Sequence, residues 1–101
     1  MLATGTTWTL VPQTMRIEIS GRLRPGGYGR DLGFHLGKLL RAGDAQVDYR
    51  MLEFAGDIDQ FSLAQRIALC STPTEVRAIG VFFPPSGAVL EYARSRARRA
   101  F

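Results

Sequence analysis

YRMLEFAGDIDQFSLAQRIALCSTPTEVRA, residues 49–78, reads as a buried strand, a glycine turn, a capped helix and a Ser/Thr-Pro break that carries Glu75. Tyr49–Phe54 is rich in aromatic and long apolar side chains and ends at Ala55-Gly56, as a central strand does. Ser62-Leu-Ala-Gln65 is a capping box. The serine hydroxyl accepts the backbone N–H three residues on, and the glutamine reaches back to the serine N–H. This predicts a short helix from Leu63 to Cys70, with Phe61, Leu63, Ile67 and Cys70 on its buried side. Pro73 disfavours helical geometry at Thr72 and breaks the run. Thr72-Pro-Thr-Glu75 is a second capping box with proline at the first helical position, so a new half-turn starts there.

Outward from this unit, Ile79–Phe83 (IGVFF) is a near-continuous apolar run closed by Pro84-Pro85, the pattern of a strand buried on both faces. Ser86 can cap a last helix that packs through Val89, Leu90, Tyr92 and Ala93. On the other side, Thr14–Ile19 alternates Met15, Ile17 and Ile19 against Thr14, Arg16 and Glu18, a half-covered strand. Thr6–Val11 (TTWTLV) has strand composition, and the two segments are near enough to pair as a hairpin across Pro12-Gln13. Residues 21–29, GRLRPGGYG, form a loop without a phosphate-binding pattern. A helix from Arg30 places Leu32, His35, Leu36, Leu39 and Leu40 on one stripe. Gly33 and Gly37 weaken it by roughly 1 kcal/mol each, or let it lie close to the sheet. Gly43 is its expected C-cap, with Arg41 facing the negative helix end. The order β-β-α-β-α-β-α predicts an α/β fold, a small three-layer-like domain with a mostly parallel sheet and an N-terminal strand that pairs antiparallel.

At 101 residues the chain supports one modest core, and 46% hydrophobic with 22% charged residues excludes a disordered chain. No apolar run reaches the roughly 18–20 residues that span a bilayer, and MLATGTTWTL lacks the pattern of a secretion signal, so a cytoplasmic protein is expected. Cys70 is the only cysteine and His35 the only histidine, so no disulfide and no transition-metal site is expected from this chain alone. Four of the twelve arginines sit in RSRARR, residues 94–99, within a basic tail over 94–101. Without them the net charge of +4 falls to about zero. This run is a solvated helix end or a contact for nucleic acid or an acidic partner. It lacks interleaved aromatics beyond Tyr92 and Phe101, which makes nucleic acid the weaker reading.

LATGTTW (residues 2–8) followed by PQTMRIEISGRLRPG (12–26), RDLGFHLGKL (30–39), LEFAG (52–56), FSLAQRIALC (61–70) and FPPSGAVLEYA (83–93) resemble, in order and spacing, an internal segment of the aconitase and isopropylmalate dehydratase large-subunit family. The resemblance covers nearly the whole chain and implies an aconitase-domain-like fold. Enzymes of that family dehydrate and rehydrate hydroxy-carboxylic acids on an iron–sulfur cluster held by three cysteines. Those cysteines lie outside the matching stretch, as does the serine that the family takes from a separate swivelling domain. Cys70 matches a cysteine that is not a cluster ligand. The resemblance therefore implies a truncated domain that works without the cofactor. In CSTPTEVRA (70–78), Glu75 holds the position of a family glutamate that faces cluster and substrate. Ser71 replaces an asparagine and Arg77 stands at a glycine.

Glu75 is the candidate proton carrier, since a carboxylate in a partly apolar cleft can be tuned toward neutral pH; closing the capping box with Thr72 would equally account for it. His35 is a second catalytic candidate or a half-buried histidine with one hydrogen-bond partner. Arg66 and Arg77 could clamp a substrate carboxylate, with Ser71 beside them, while Arg66 could instead pair with Glu53 or Asp59. Cys70 fits a packed thiol. The expected function is a cofactor-free enzyme of specialised metabolism, a lyase or isomerase that dehydrates, isomerises or cyclises a small carboxylated or carbonyl substrate. The alternative is a non-catalytic subunit that completes a partner enzyme. Faces that the family keeps interior would need cover, for which a homodimer is the simplest arrangement.

Overall fold

A computed structural model describes residues 2–43 and 47–99. Three strands, β1 (Thr14–Ile19), β2 (Met51–Gly56) and β3 (Gly80–Phe82), form a parallel sheet in the order β1-β2-β3. Helix α1 (Gly29–Ala42) connects β1 to β2. Helix α2 (Leu63–Ser71), running into a 3-10 helix at Thr72–Val76, connects β2 to β3, and α3 (Gly87–Arg96) follows. The α/β class and the parallel sheet are those read from the sequence.

Two successive right-handed crossovers in one direction place their helices on the same side of a sheet, and α1 packs on α2 and on the 72–76 turn. Register pairs Met15 with Leu52, Ile17 with Phe54, and Leu52 with Val81 on the helix-facing side. There Leu52 and Phe54 are fully buried in a core with Leu36, Leu40, Val47, Ile58, Phe61, Leu69 and Ala78. Thr14, Arg16 and Glu18 on the opposite side are exposed. The described residues thus form a small α/β unit of a three-stranded parallel sheet and three helices, the class read from the sequence.

Thr6–Val11 is not a strand and no hairpin forms. Strand composition alone does not pair a segment, and the outer edge of β1 is left unpaired among the described residues. This segment is instead fixed by the Tyr49 hydroxyl, which donates to the Leu10 carbonyl and bonds the Thr9 hydroxyl, while Trp8 stays 86% exposed. The IGVFF run is not buried on both faces either. β3 is a short edge strand with Phe82 half exposed; Phe83 turns inward and stacks on Phe54 at a centroid distance of 4.5 Å.

Helices α1 and α2 each bury only part of the face expected of them. Helix α1 buries Gly29, Gly33, Leu36 and Leu40, leaving His35 and Leu39 exposed. Its glycines serve approach to α2 and the 72–76 turn, not to the sheet: a methyl on Gly29 would lie 3.0 Å from Gln65, and one on Gly33 2.7 Å from Thr72 Oγ1. Gly43 caps the helix as expected, its N–H donating to the Leu39 carbonyl. The Ser62–Gln65 capping box forms at both bonds, 3.3 and 3.0 Å, but α2 then turns Arg66 and Leu69 inward and leaves Ile67 exposed. Helix α3 buries no residue; Arg94 and Arg96 form its last turn, and residues 100 and 101 of the basic tail lie outside the described residues.

Candidate functional site

Thr72 has αR dihedrals (φ −65°, ψ −44°), continuing α2 rather than opening a new helix from extended geometry. Its hydroxyl donates to the Ala68 carbonyl at 3.2 Å, and Thr74 Oγ1 donates to the Ser71 carbonyl at 2.7 Å. The expected Thr72–Glu75 capping box therefore does not form. The proline enters a turn that is already wound, and the side chains that would cap it bond backward. Glu75 makes no hydrogen bond or ion pair among the described residues and its side chain is exposed.

Two open grooves meet at Glu75. The first, about 520 Å³, runs over α1 past Phe34, Gly37, Lys38 and Arg41 to Thr72 and Val76. The second, about 660 Å³, is more polar and brings Arg41, Asp48 and Arg77 around the same glutamate. Arg41, Glu75 and Val76 line both. Glu75 thus shares the first groove with Lys38 and Arg41 and the second with Arg41 and Arg77, cations of the kind that bind a carboxylate. Both grooves open where β2 and β3 begin, whereas open α/β sheets commonly bind ligands beyond the carboxyl ends of their strands.

Arg77 reaches this place through an unusual backbone. It caps the 72–76 turn with φ 71°, in the left-handed region that L side chains disfavour, and its carbonyl accepts the Tyr49 N–H at 3.0 Å. Its guanidinium meets Asp48 at 3.1 Å with both groups well exposed. The left-handed conformation costs about 1–2 kcal/mol, and an exposed pair returns at most about 1 kcal/mol. Arg77→Gly should therefore raise stability by about 0.5–1 kcal/mol in urea unfolding. A loss of stability instead would show that the ion pair outweighs the strain.

The other expected site residues lie elsewhere. Arg66 is 4% exposed and its donors go to carbonyls: Nε to Phe61 at 3.1 Å, Nη1 to Pro84 at 3.0 Å and Nη2 to Ile58 at 3.0 Å. Asp59 is a more distant partner at 3.5 Å, and the Phe83 ring lies under the guanidinium. Ser71 donates to the Ala68 carbonyl at 3.0 Å. Arg66 and Ser71 border a third, apolar groove beside Ile67, Cys70, Phe82 and Val89. Burial pushes the Cys70 thiol up, and the Arg66 charge opposes this in part, which fits a packed thiol. His35 is exposed on α1, without the hydrogen-bond partner expected of it among the described residues, and lines none of these grooves.

The structure thus brings together Glu75 and Arg77 and separates them from Arg66, Ser71 and His35. Lys38 and Arg41 take the remaining places, and sequence reasoning missed both. Their signal was present: Phe34, Lys38 and Arg41 share one helical stripe at i, i+4 and i+7. Its meaning depends on the 72–76 turn packing beside it. Among the described residues no three His, Cys, Asp or Glu side chains are grouped to hold a metal ion, and no helix is long and apolar enough to cross a membrane.

The model of the aconitase family (aconitate hydratase) matches residues 1–101. The chain is 34% identical to the probable methanogen homoaconitase large subunit of Methanothermobacter thermautotrophicus, over 100% of this chain and 23% of that protein. It is 34% identical to 3-isopropylmalate dehydratase large subunit 1 of Pyrococcus abyssi, over 99% of this chain and 23% of that one. To the mitochondrial homoaconitase of Eremothecium gossypii it is 33% identical, over 97% of this chain and 14% of that protein. The chain spans about a quarter or less of the length of these relatives. No solved structure matches it.

Proposed function

The chain belongs to the aconitase family, and from that premise we propose that Glu75 and the cations beside it form an acid/base site of hydro-lyase type for a small carboxylated substrate. The observation that carries the reading is Glu75 itself: it has no partner within the described residues and lines both grooves together with Arg41. Elimination of water removes a proton from the carbon next to a carboxylate and expels the neighbouring hydroxyl. Glu75 takes that proton, Arg41 and Arg77 hold the carboxylate, and the Lys38 ammonium supplies a proton to the departing hydroxyl. The substrate carboxylate is assigned to Arg41 and Arg77 rather than Arg66, whose donors are engaged by backbone carbonyls.

An iron–sulfur cluster does not fit the residues of this chain. Such a cluster is held by several thiolates, and the chain offers one cysteine, whose half-buried thiol is held toward its protonated form by burial. The acid/base chemistry proposed for this unit uses only its own side chains.

The test follows ultraviolet absorbance of the unsaturated acid formed from 3-isopropylmalate, the substrate in the name of one relative. The wild-type chain should turn it over, and Glu75→Gln should lower kcat by about 10²–10⁴ with an unchanged melting temperature, since Glu75 is exposed and unbonded. A Gln variant with full activity would remove the assigned role.

A second reading, a non-catalytic subunit that completes a partner enzyme, is favoured by a separate observation. Ile67 is 61% and Phe82 50% exposed beside the apolar third groove, and the Glu75 grooves lie at the amino ends of the strands. Two of the relatives are named as large subunits. Turnover that appears only on mixing with a partner chain would support this reading. The same exposed face is where a second copy would sit in the expected dimer.

A further inference from the structure

Gly33 and Gly37 stand one turn apart on α1 and meet different surroundings. A methyl on Gly33 would lie 2.7 Å from Thr72 Oγ1, so close packing excludes a side chain there. A methyl on Gly37 would meet only Thr72 Cγ2, at 3.8 Å, an ordinary contact. Gly37 lies inside α1, where alanine is the better helix former. Neither packing nor helix formation requires glycine at this position. What the missing side chain does is leave the floor of the first groove open, between the exposed Phe34 ring and Val76, with Lys38 and Arg41 on the same groove.

Resting on the carboxylate site proposed above, we propose that Gly37 determines substrate specificity: it makes room over α1 for an aryl or long alkyl substituent of an acid whose carboxylate is held at Arg41. The groove, about 520 Å³, has the size of sites that take whole small molecules and far exceeds what a short branched alkyl group fills. Phe34 is 63% exposed, so its ring is available as an aromatic wall. A polar acid lacking the substituent would use Arg41 and Arg77 alone and leave this floor empty.

The test is calorimetric titration of the wild-type chain with malate and with 3-benzylmalate, repeated on Gly37→Ala and Gly37→Leu. The wild type should bind 3-benzylmalate at least about tenfold more tightly than malate. Gly37→Ala should narrow that preference and Gly37→Leu abolish it, with malate affinity within about twofold throughout. Equal binding of the two acids by the wild type, or an undiminished preference in Gly37→Leu, overturns the inference while leaving the carboxylate site intact. If neither acid binds, the carboxylate site falls and this inference with it. Gly37→Ala should also melt at or above the wild-type temperature. A lower melting temperature would show that the fold itself demands the glycine, and would overturn the claim that the space serves a ligand.

Discussion

Arg66→Ala is expected to destabilise the domain by about 3–5 kcal/mol, a large part of the roughly 5–15 kcal/mol that holds a domain of this size together. The side chain is 4% exposed, and three of its donors satisfy the Ile58, Phe61 and Pro84 carbonyls. Truncation leaves those acceptors without their donor, removes the guanidinium from the Phe83 ring and opens a void between α2 and the strand β3 connection. Arg66→Lys should recover little, because an ammonium on a flexible stem cannot span three carbonyls set by a planar fork. Asp59→Asn separates the causes: its side chain is 91% exposed and meets Arg66 only at 3.5 Å, so its loss should cost less than about 0.5 kcal/mol. Urea unfolding of the three variants is the measurement. If the aspartate variant loses as much as the alanine one, the ion pair rather than the carbonyl set is what matters.

Arg66 also shows how much of the molecule the sequence discloses. The S-x-x-Q capping box, the alternation of Thr14–Ile19 and the apolar centre of β2 are local signals, and each produced the element it announced. They suffice for an α/β class with parallel strands. Which face a helix buries is not local in the same sense. Ile67 and Cys70 are more apolar than Arg66, and hydrophobicity alone turns α2 the wrong way. Arginine can go inward here because the carbonyls of residues 58, 61 and 84 converge on it, and their convergence is a property of the tertiary fold. The same holds for the site. Glu75 was visible through its family position. Its freedom from a capping box depends on Thr72 remaining helical, and the cations beside it depend on the approach of α1 allowed by Gly29 and Gly33. Thr6–Val11 errs in the other direction: β-branched composition does not by itself make a strand, and the segment stays exposed although β1 has an unpaired outer edge among the described residues.

Gly56→Ala should be at least as damaging, by about 4 kcal/mol or more, and for a reason independent of hydrophobic burial. Gly56 ends β2 with φ 84°, where a β-carbon costs about 1–2 kcal/mol before any contact is counted. The contact is worse: a methyl would lie 2.1 Å from the Ile19 carbonyl oxygen, its register partner on β1. That oxygen also accepts the Asp57 N–H at 2.8 Å, so it cannot yield without breaking the bond that starts the 57–60 turn. The turn in turn fixes two other parts of the fold. Asp57 and Gln60 hold the Gly21 backbone, Gln60 holds Leu23, and the Ile58 carbonyl receives Arg66. Displacing Gly56 should therefore loosen the Arg66 network too. The Gly56→Ala, Arg66→Ala double variant should lose less than the sum of the singles, by about 1 kcal/mol or more. Strict additivity would show that the strand end and the arginine are held separately. A single Gly56→Ala loss below about 1 kcal/mol would show that the ends of β1 and β2 can part without disturbing the turn.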